Sequence, residues 1–125
     1  MPFEIRDEGR YFLVRLFGVL DLRGLDAVVA EVERLESEPA GVKDRITDLT
    51  DLERIDVGFE EVFAVANRRA QRKVPTAIRS ALIAVHPVHY GFARMFQMLN
   101  DNPRIHIRIF ANREEALEWL AGGRR

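Results

Sequence analysis

The chain contains no cysteine, which removes disulfides, thiolate zinc sites and thiol nucleophiles together. It also lacks an excess of charge of either sign. Nineteen Lys and Arg face 20 Asp and Glu, for a net charge of -1, so no overall field draws the molecule to nucleic acid or to an anionic membrane. No stretch approaches the ~20 consecutive apolar residues of a membrane span. The segment from Met1 to Glu8 mixes charges where a signal peptide would carry an apolar core. The expectation is a soluble protein with no membrane span, in the reducing cytoplasm. Internal repeats and low-complexity runs are missing too, and Glu38-Pro39-Ala40-Gly41, the one linker-like punctuation, is too short to separate domains. Nor is there a Gly-rich phosphate loop, a G-x-S-x-G elbow or an H-E-x-x-H pair. What is present is 125 residues, 47% apolar and 31% charged, which fits one domain over residues 1–125.

Hydrophobic periodicity gives the order of elements. Phe3 to Arg6 alternates apolar and charged residues, and Tyr11 to Leu20 follows a tight Glu8-Gly9-Arg10 connection, which predicts a hairpin. Leu22, Leu25, Val28, Val29, Val32 and Leu35 then fall at helical spacing, with Asp21 as cap and Pro39-Ala40-Gly41 as stop. Val42 to Leu49 reads as a strand. Phe59, Val62, Phe63, Ala66 and Ala70 form the stripe of a second helix, with Asp56 as candidate cap and Pro75 as stop. The continuous apolar run Ala81 to Val85 has the character of the middle strand of a sheet covered on both faces. Phe92, Met95, Phe96 and Leu99 mark a third helix, ended by Asn100 to Pro103. Ile105, Ile107 and Ile109 alternate with His106 and Arg108 as an edge strand would. Asn112 and Glu115 open a last helix closed by Gly122-Gly123. The order ββαβαβαβα predicts an α/β fold, with a mixed, mostly parallel five-stranded sheet and four helices.

Few residues point to chemistry. His86 and His89 flank Pro87-Val88 just after the apolar strand, where open α/β sheets place ligands. A metal there would need a further ligand such as Asp48, Asp51 or Asp56, and the plainer reading makes both histidines loop or cap residues. Asp44, Asp48 and Asp51 contain the ligand type of hard cations but lack the spacing of a calcium loop, so turn formation accounts for them. Arg68, Arg69, Arg72, Lys73 and Arg79 form the densest basic cluster. With no interleaved aromatics and near-neutral total charge, they read as a solvated helix end and not as a nucleic-acid site. Around the third helix, Tyr90 and Met98 fall off the buried stripe and are left as exposed apolar contacts.

Asp48-Leu49-Thr50 at the end of the third strand and Asp56-Val57-Gly58-Phe59 before the second helix carry a resemblance, together with Tyr90-Gly91-Phe92-Ala93-Arg94 and Glu115-Ala116-Leu117-Glu118-Trp119-Leu120. Over nearly its full length the chain resembles the STAS superfamily, and more closely the SpoIIAA-like branch of small bacterial proteins related to anti-sigma-factor antagonists. The resemblance implies a five-strand, four-helix domain of a kind also compared with Sec14-type lipid-binding folds. In the antagonists, a serine in an Asp-Ser-Ser-Gly stretch at the start of helix two is phosphorylated, and the phosphate decides partner binding. A dianion beside a helix N-terminus changes local electrostatics strongly. Matching Asp56 to the family aspartate puts Val57 in the serine's place, and Ser37 and Ser80 are the chain's two serines.

The resulting expectation is a non-enzymatic regulatory module without cofactor or metal. Its partner surface would be built from Asp56, Val57, Phe59, His86, His89, Tyr90 and Arg94. The alternative is a carrier or sensor of a small apolar or lipid ligand held between the sheet and helices two and three, near Phe59, Phe63, Phe92, Met95 and Phe96. A metal or hydrolytic site at His86 and His89 is a third reading. A homodimer paired through the edge strand Ile105 to Phe110 or through an exposed helix is a further expectation, with His106 and Arg108 as the residues that would instead protect that edge.

Overall fold

The computed structural model of the chain describes residues 3–38, 41–74 and 76–122. The opening alternation forms β1 (Phe3–Asp7), which runs antiparallel to β2 (Tyr11–Asp21) in the register Phe3↔Leu16 to Asp7↔Phe12. Gly9 makes the turn with a φ of 92°, and its N–H donates to Asp7 Oδ1 at 2.8 Å. The rest is three strand-to-helix crossovers and a closing helix: α1 (Leu22–Glu36), β3 (Asp44–Asp56), α2 (Phe59–Ala70), β4 (Ile78–Ile83), α3 (Pro87–Leu99), β5 (Ile105–Phe110) and α4 (Arg113–Gly122). The element order is the expected one. The sheet runs β1-β2-β3-β4-β5, antiparallel at β1 and parallel thereafter.

One face of the sheet packs Val14, Leu16, Leu49 and Leu52 against Leu25, Val28 and Val29 of α1, Val62 and Val65 of α2, and Phe92 of α3. The other face packs Leu13, Ile46, Ala81 and Ile83 against Ala116 and Leu120 of α4. Period-two alternation along β2 and β3 thus feeds two cores, each fully buried large side chain contributing about 1.5–3 kcal/mol. Two caps are as the sequence indicates: Asp21 Oδ1 accepts from Gly24 N at 2.8 Å, and Asn112 Oδ1 accepts from Glu115 N at 2.9 Å.

Several boundaries differ from expectation. β3 runs on to Asp56 instead of ending at Leu49. Its second half pairs with β2 alone, as far as Asp21↔Asp56, while β4 pairs only over Arg45 to Asp48. That two-stranded, wetter extension is polar, which hides it from a hydrophobicity pattern. Asp56 is therefore still strand and does not cap α2. Gly58 is the N-cap, and Glu61 reaches back to accept its N–H at 2.5 Å. The middle strand is β3, not the apolar run of β4, because such a run reports helices on both faces and not central position. Val85, expected in that strand, lies beyond it and is 67% exposed. On α2 the buried stripe is Val62, Val65 and Ala66, while Phe59 and Phe63 at its rim are exposed. α1 closes at Ser37, whose N–H reaches Glu33 O at 3.2 Å; Pro39, Ala40, Pro75 and Gly123 lie outside the described residues.

Candidate functional site

Because β2, β3 and β4 are parallel and each is followed by a helix, the starts of α1, α2 and α3 gather at one end of the sheet. That end is where large apolar side chains reach solvent. Val19, Leu22, Phe59, Val85, Val88 and Tyr90 are each at least 40% exposed. Phe63 continues the patch along α2, its ring 6.2 Å from that of Phe59. Isolated exposed apolar residues are ordinary, whereas a set concentrated at one end of the molecule is a candidate interaction surface.

The residues expected at this surface divide. Phe59, Tyr90, Asp56, His86 and Arg94 are exposed, whereas Val57 is half-buried and packs against the core. His86 is the N-cap of α3, its Nδ1 accepting from Val88 N at 3.2 Å, and Arg94 donates to Gln97 Oε1 at 2.5 Å. His89 does not belong to the surface. It is 8% exposed, and its Nε2 lies 2.9 Å from the Leu52 carbonyl oxygen, tying α3 to the extension of β3. A buried imidazole satisfied by a backbone carbonyl serves packing. Met98 is 71% exposed at the far end of α3, away from the other apolar residues. Val19, Leu22, Val85 and Val88 were not singled out in the sequence. They share apolar type at strand ends and first helical turns, and Leu22 and Val85 fall inside apolar patterns that the sequence assigns to the interior.

The three aspartates serve the scaffold. Asp44 Oδ1 accepts from Arg79 N at 2.8 Å, Asp48 Oδ1 from Thr50 N at 2.9 Å, and Asp51 pairs with Arg15 at 2.7 Å. Among the described residues, no three His, Asp or Glu side chains gather as metal ligands.

The basic cluster is not the solvated helix end expected of it. Arg69 grips Glu36 with both guanidinium arms, at 2.9 and 2.8 Å, and also reaches Glu33 at 3.3 Å. Arg68 pairs with Glu33 at 2.6 Å, Arg72 with Glu36 at 3.3 Å, and Arg45 with Glu36 at 3.4 Å. This network staples α1 to α2 and to β3. Burial pushes the Glu36 carboxyl upward, but its hydrogen bonds to Arg69 and the charges of Arg69, Arg45 and Arg72 outweigh that, leaving its pKa below the ordinary 4.5. For Arg45, burial and then the neighbouring Arg69 charge dominate, and its guanidinium is pushed down to about 10.

Beside the network, between the sheet and helices α1, α2 and α3, lies a cavity of about 130 Å³. Phe92 and Phe96 line it, as the alternative reading of the sequence requires, while Phe59 and Phe63 face outward and Met95 packs on the core without lining it.

No protein-family model matches this chain, and no curated protein matches it significantly. Solved structures do. An uncharacterized protein of the DUF3478 family with a SpoIIAA-like fold, from Shewanella loihica PV-4, is 16% identical, with a TM-score of 0.61 over 95% of this chain and 92% of that one. The anti-sigma factor antagonist SpoIIAA in its unphosphorylated form is 19% identical, with a TM-score of 0.62 over 96% of this chain and 98% of that one. The Bacillus cell fate determinant SpoIIAA in its phosphorylated form is 18% identical, with a TM-score of 0.56 over 94% and 97%. Identities this low speak for the path of the backbone, and on that ground the chain has the SpoIIAA-like fold.

Proposed function

We propose that this protein is a non-enzymatic regulatory module of STAS type, which binds a protein partner through the end of the sheet where α1, α2 and α3 begin. The observation that carries the reading is the concentration of exposed apolar side chains there, led by Phe59, Val88 and Tyr90. Burying such a patch returns about 25 cal/mol per Å² of apolar surface, and aromatic anchors dominate protein interfaces. Asp56, His86 and Arg94 supply a polar rim. The likeness to an anti-sigma factor antagonist, a regulatory protein, supports the same class.

Control by phosphorylation at the start of α2 does not carry over. Residues 56–61 hold no hydroxyl, and Val57 stands half-buried against the core. Ser80 is 4% exposed within the sheet, and the Ser37 hydroxyl donates to Glu33 O at 2.9 Å while accepting from Arg72 at 3.0 Å. The module works without the phosphoserine switch.

The test is a quantitative affinity capture from native cytoplasm with wild type, Phe59→Ser, Tyr90→Ala and a control at the opposite sheet edge, His106→Ala. The expected result is a partner retained by wild type and His106→Ala and lost by at least tenfold in both surface variants. An identical protein profile for all four would overturn the assignment of this surface.

A further inference from the structure

We infer that the cavity between the sheet and helices α1, α2 and α3 is a binding site for a small carboxylate with an apolar body, of one ring or a short branched chain. Its walls are apolar along most of their extent, with Val14, Leu25, Val29, Leu49, Val65 and Phe92 among them. The polar lining comes from Arg45, Thr47, Arg69, Ser80 and Asn100. Arg45 and Ser80 are cross-strand partners in the β3–β4 register, so a guanidinium and a hydroxyl stand side by side on the sheet face that lines the cavity.

Arg45 is the unusual member. The residue is 9% exposed and its guanidinium meets Glu36 at 3.4 Å, and since no buried side-chain nitrogen or oxygen among the described residues lacks a partner, any donor that Arg45 leaves unpaired is open to solvent on the cavity it lines. Both Glu36 oxygens are already held at 2.9 and 2.8 Å by Arg69. A guanidinium carries five N–H donors, more than the contact to Glu36 uses, so donors remain for a ligand oxygen in the cavity. Among the described residues, the ion pairs of Arg45, Arg68, Arg69 and Arg72 go to Glu33 and Glu36, two carboxylates for four guanidiniums. The Asp44 carboxylate, next along β3, adds a weaker attraction to Arg45 and is engaged by the Arg79 backbone N–H. A ligand carboxylate would complete this corner, because its two oxygens match the guanidinium fork and accept from the neighbouring Ser80 hydroxyl.

Volume sets the body. The cavity measures about 130 Å³, and an apolar cavity of roughly 150 Å³ accepts one benzene ring. A long acyl chain would exceed that volume and extend outside it, so a single-ring or short-chain acid suits the site better than a lipid. None of the exposed residues of the partner surface lines the cavity, and the two assignments stand or fall separately.

The probes are sodium benzoate, benzamide and sodium decanoate, titrated into the full chain by calorimetry and by amide NMR. Benzoate should bind saturably with a Kd below about 1 mM and shift the amides of Leu49, Val65, Ser80 and Phe92. Benzamide, equal in shape but neutral, should bind at least tenfold more weakly. Arg45→Met should weaken benzoate at least tenfold. Ser80→Ala, which removes one oxygen and leaves the charge network intact, should weaken it three- to tenfold, and Ala66→Leu should abolish binding by filling the cavity. No saturable benzoate binding, equal affinity for benzamide, or unchanged affinity in both Ser80→Ala and Ala66→Leu would overturn the site. Decanoate binding as tight as benzoate would overturn the small-ligand assignment.

Discussion

Glu36 shows how much one side chain can hold. Its side chain is 4% exposed and meets Arg45, Arg69 and Arg72 at once. Removing it leaves three guanidiniums facing a low-dielectric region, so Glu36→Ala should cost about 3–5 kcal/mol in urea unfolding, far above a surface substitution. The pH dependence follows from the same contacts. A carboxyl with a folded pKa below its ordinary 4.5 contributes stability that is present above 4.5 and lost as pH falls through the lower folded value. Glu36→Gln should therefore flatten the acid limb of the stability curve below about pH 4.5, measured as unfolding midpoint against pH. Gly18 carries a different constraint. Its φ of 71° sits beside a register shift between Gly18 and Val19 in β2. Gly18→Ala should cost about 1–2 kcal/mol although a Cβ there meets no neighbour within 4 Å. The sequence showed the arginines as a cluster but not as a network, because Glu33 and Glu36 lie 33 to 36 positions away from Arg68 and Arg69 and only the packing of α1 on α2 joins them.

The helices show where local signals speak and where they mislead. Asp21 and Asp56 are both aspartates one to three residues ahead of an apolar period. Asp21 bonds the Gly24 N–H and caps α1, whereas Asp56 remains paired in β3 and Glu61 takes the Gly58 N–H instead. Asp21→Ala should lower stability by about 1 kcal/mol, while Asp56→Ala should change it by less than about 0.5 kcal/mol, both read from chemical denaturation. If Asp56→Ala proved the more damaging, the assignment of the caps would be reversed. The stripe of α2 was read one notch too wide for the same reason. Five apolar residues at helical spacing define an arc, but neighbours decide which part is covered, and here Phe59 and Phe63 fall outside that cover. Phe63, expected on the covered arc alone, lies exposed beside Phe59, which the sequence also placed on the outer surface.

For the molecule as a whole, three helices on one face and α4 on the other leave two kinds of opening, a surface patch at the strand ends and a cavity under α1, α2 and α3. The two sheet edges are β1 and β5. On β5, His106 and Arg108 are exposed, and Arg108 lies 5.5 Å over Phe110 and 5.7 Å over Trp119, which covers the aromatics beside that edge. If copies pair as expected through β5, Ile107→Pro, which removes a backbone N–H from this strand, should convert a dimer to monomer in sedimentation velocity; a dimer that survives it is held elsewhere.

The number, order and type of elements were readable from the chain alone, because period-two and period-3.6 apolar patterns, Asp21 and Asn112 as caps, and Gly9 as a turn are local properties of neighbouring residues. Tertiary structure decided the rest: that β3 and not β4 is central, that His89 is a buried strut, that Glu36 gathers three arginines, and that Phe63 faces solvent. Each of these depends on which distant residues pack together. Burial, desolvation and charge compensation are properties of a neighbourhood, and that neighbourhood forms only when the sheet brings β2, β3 and β4 side by side.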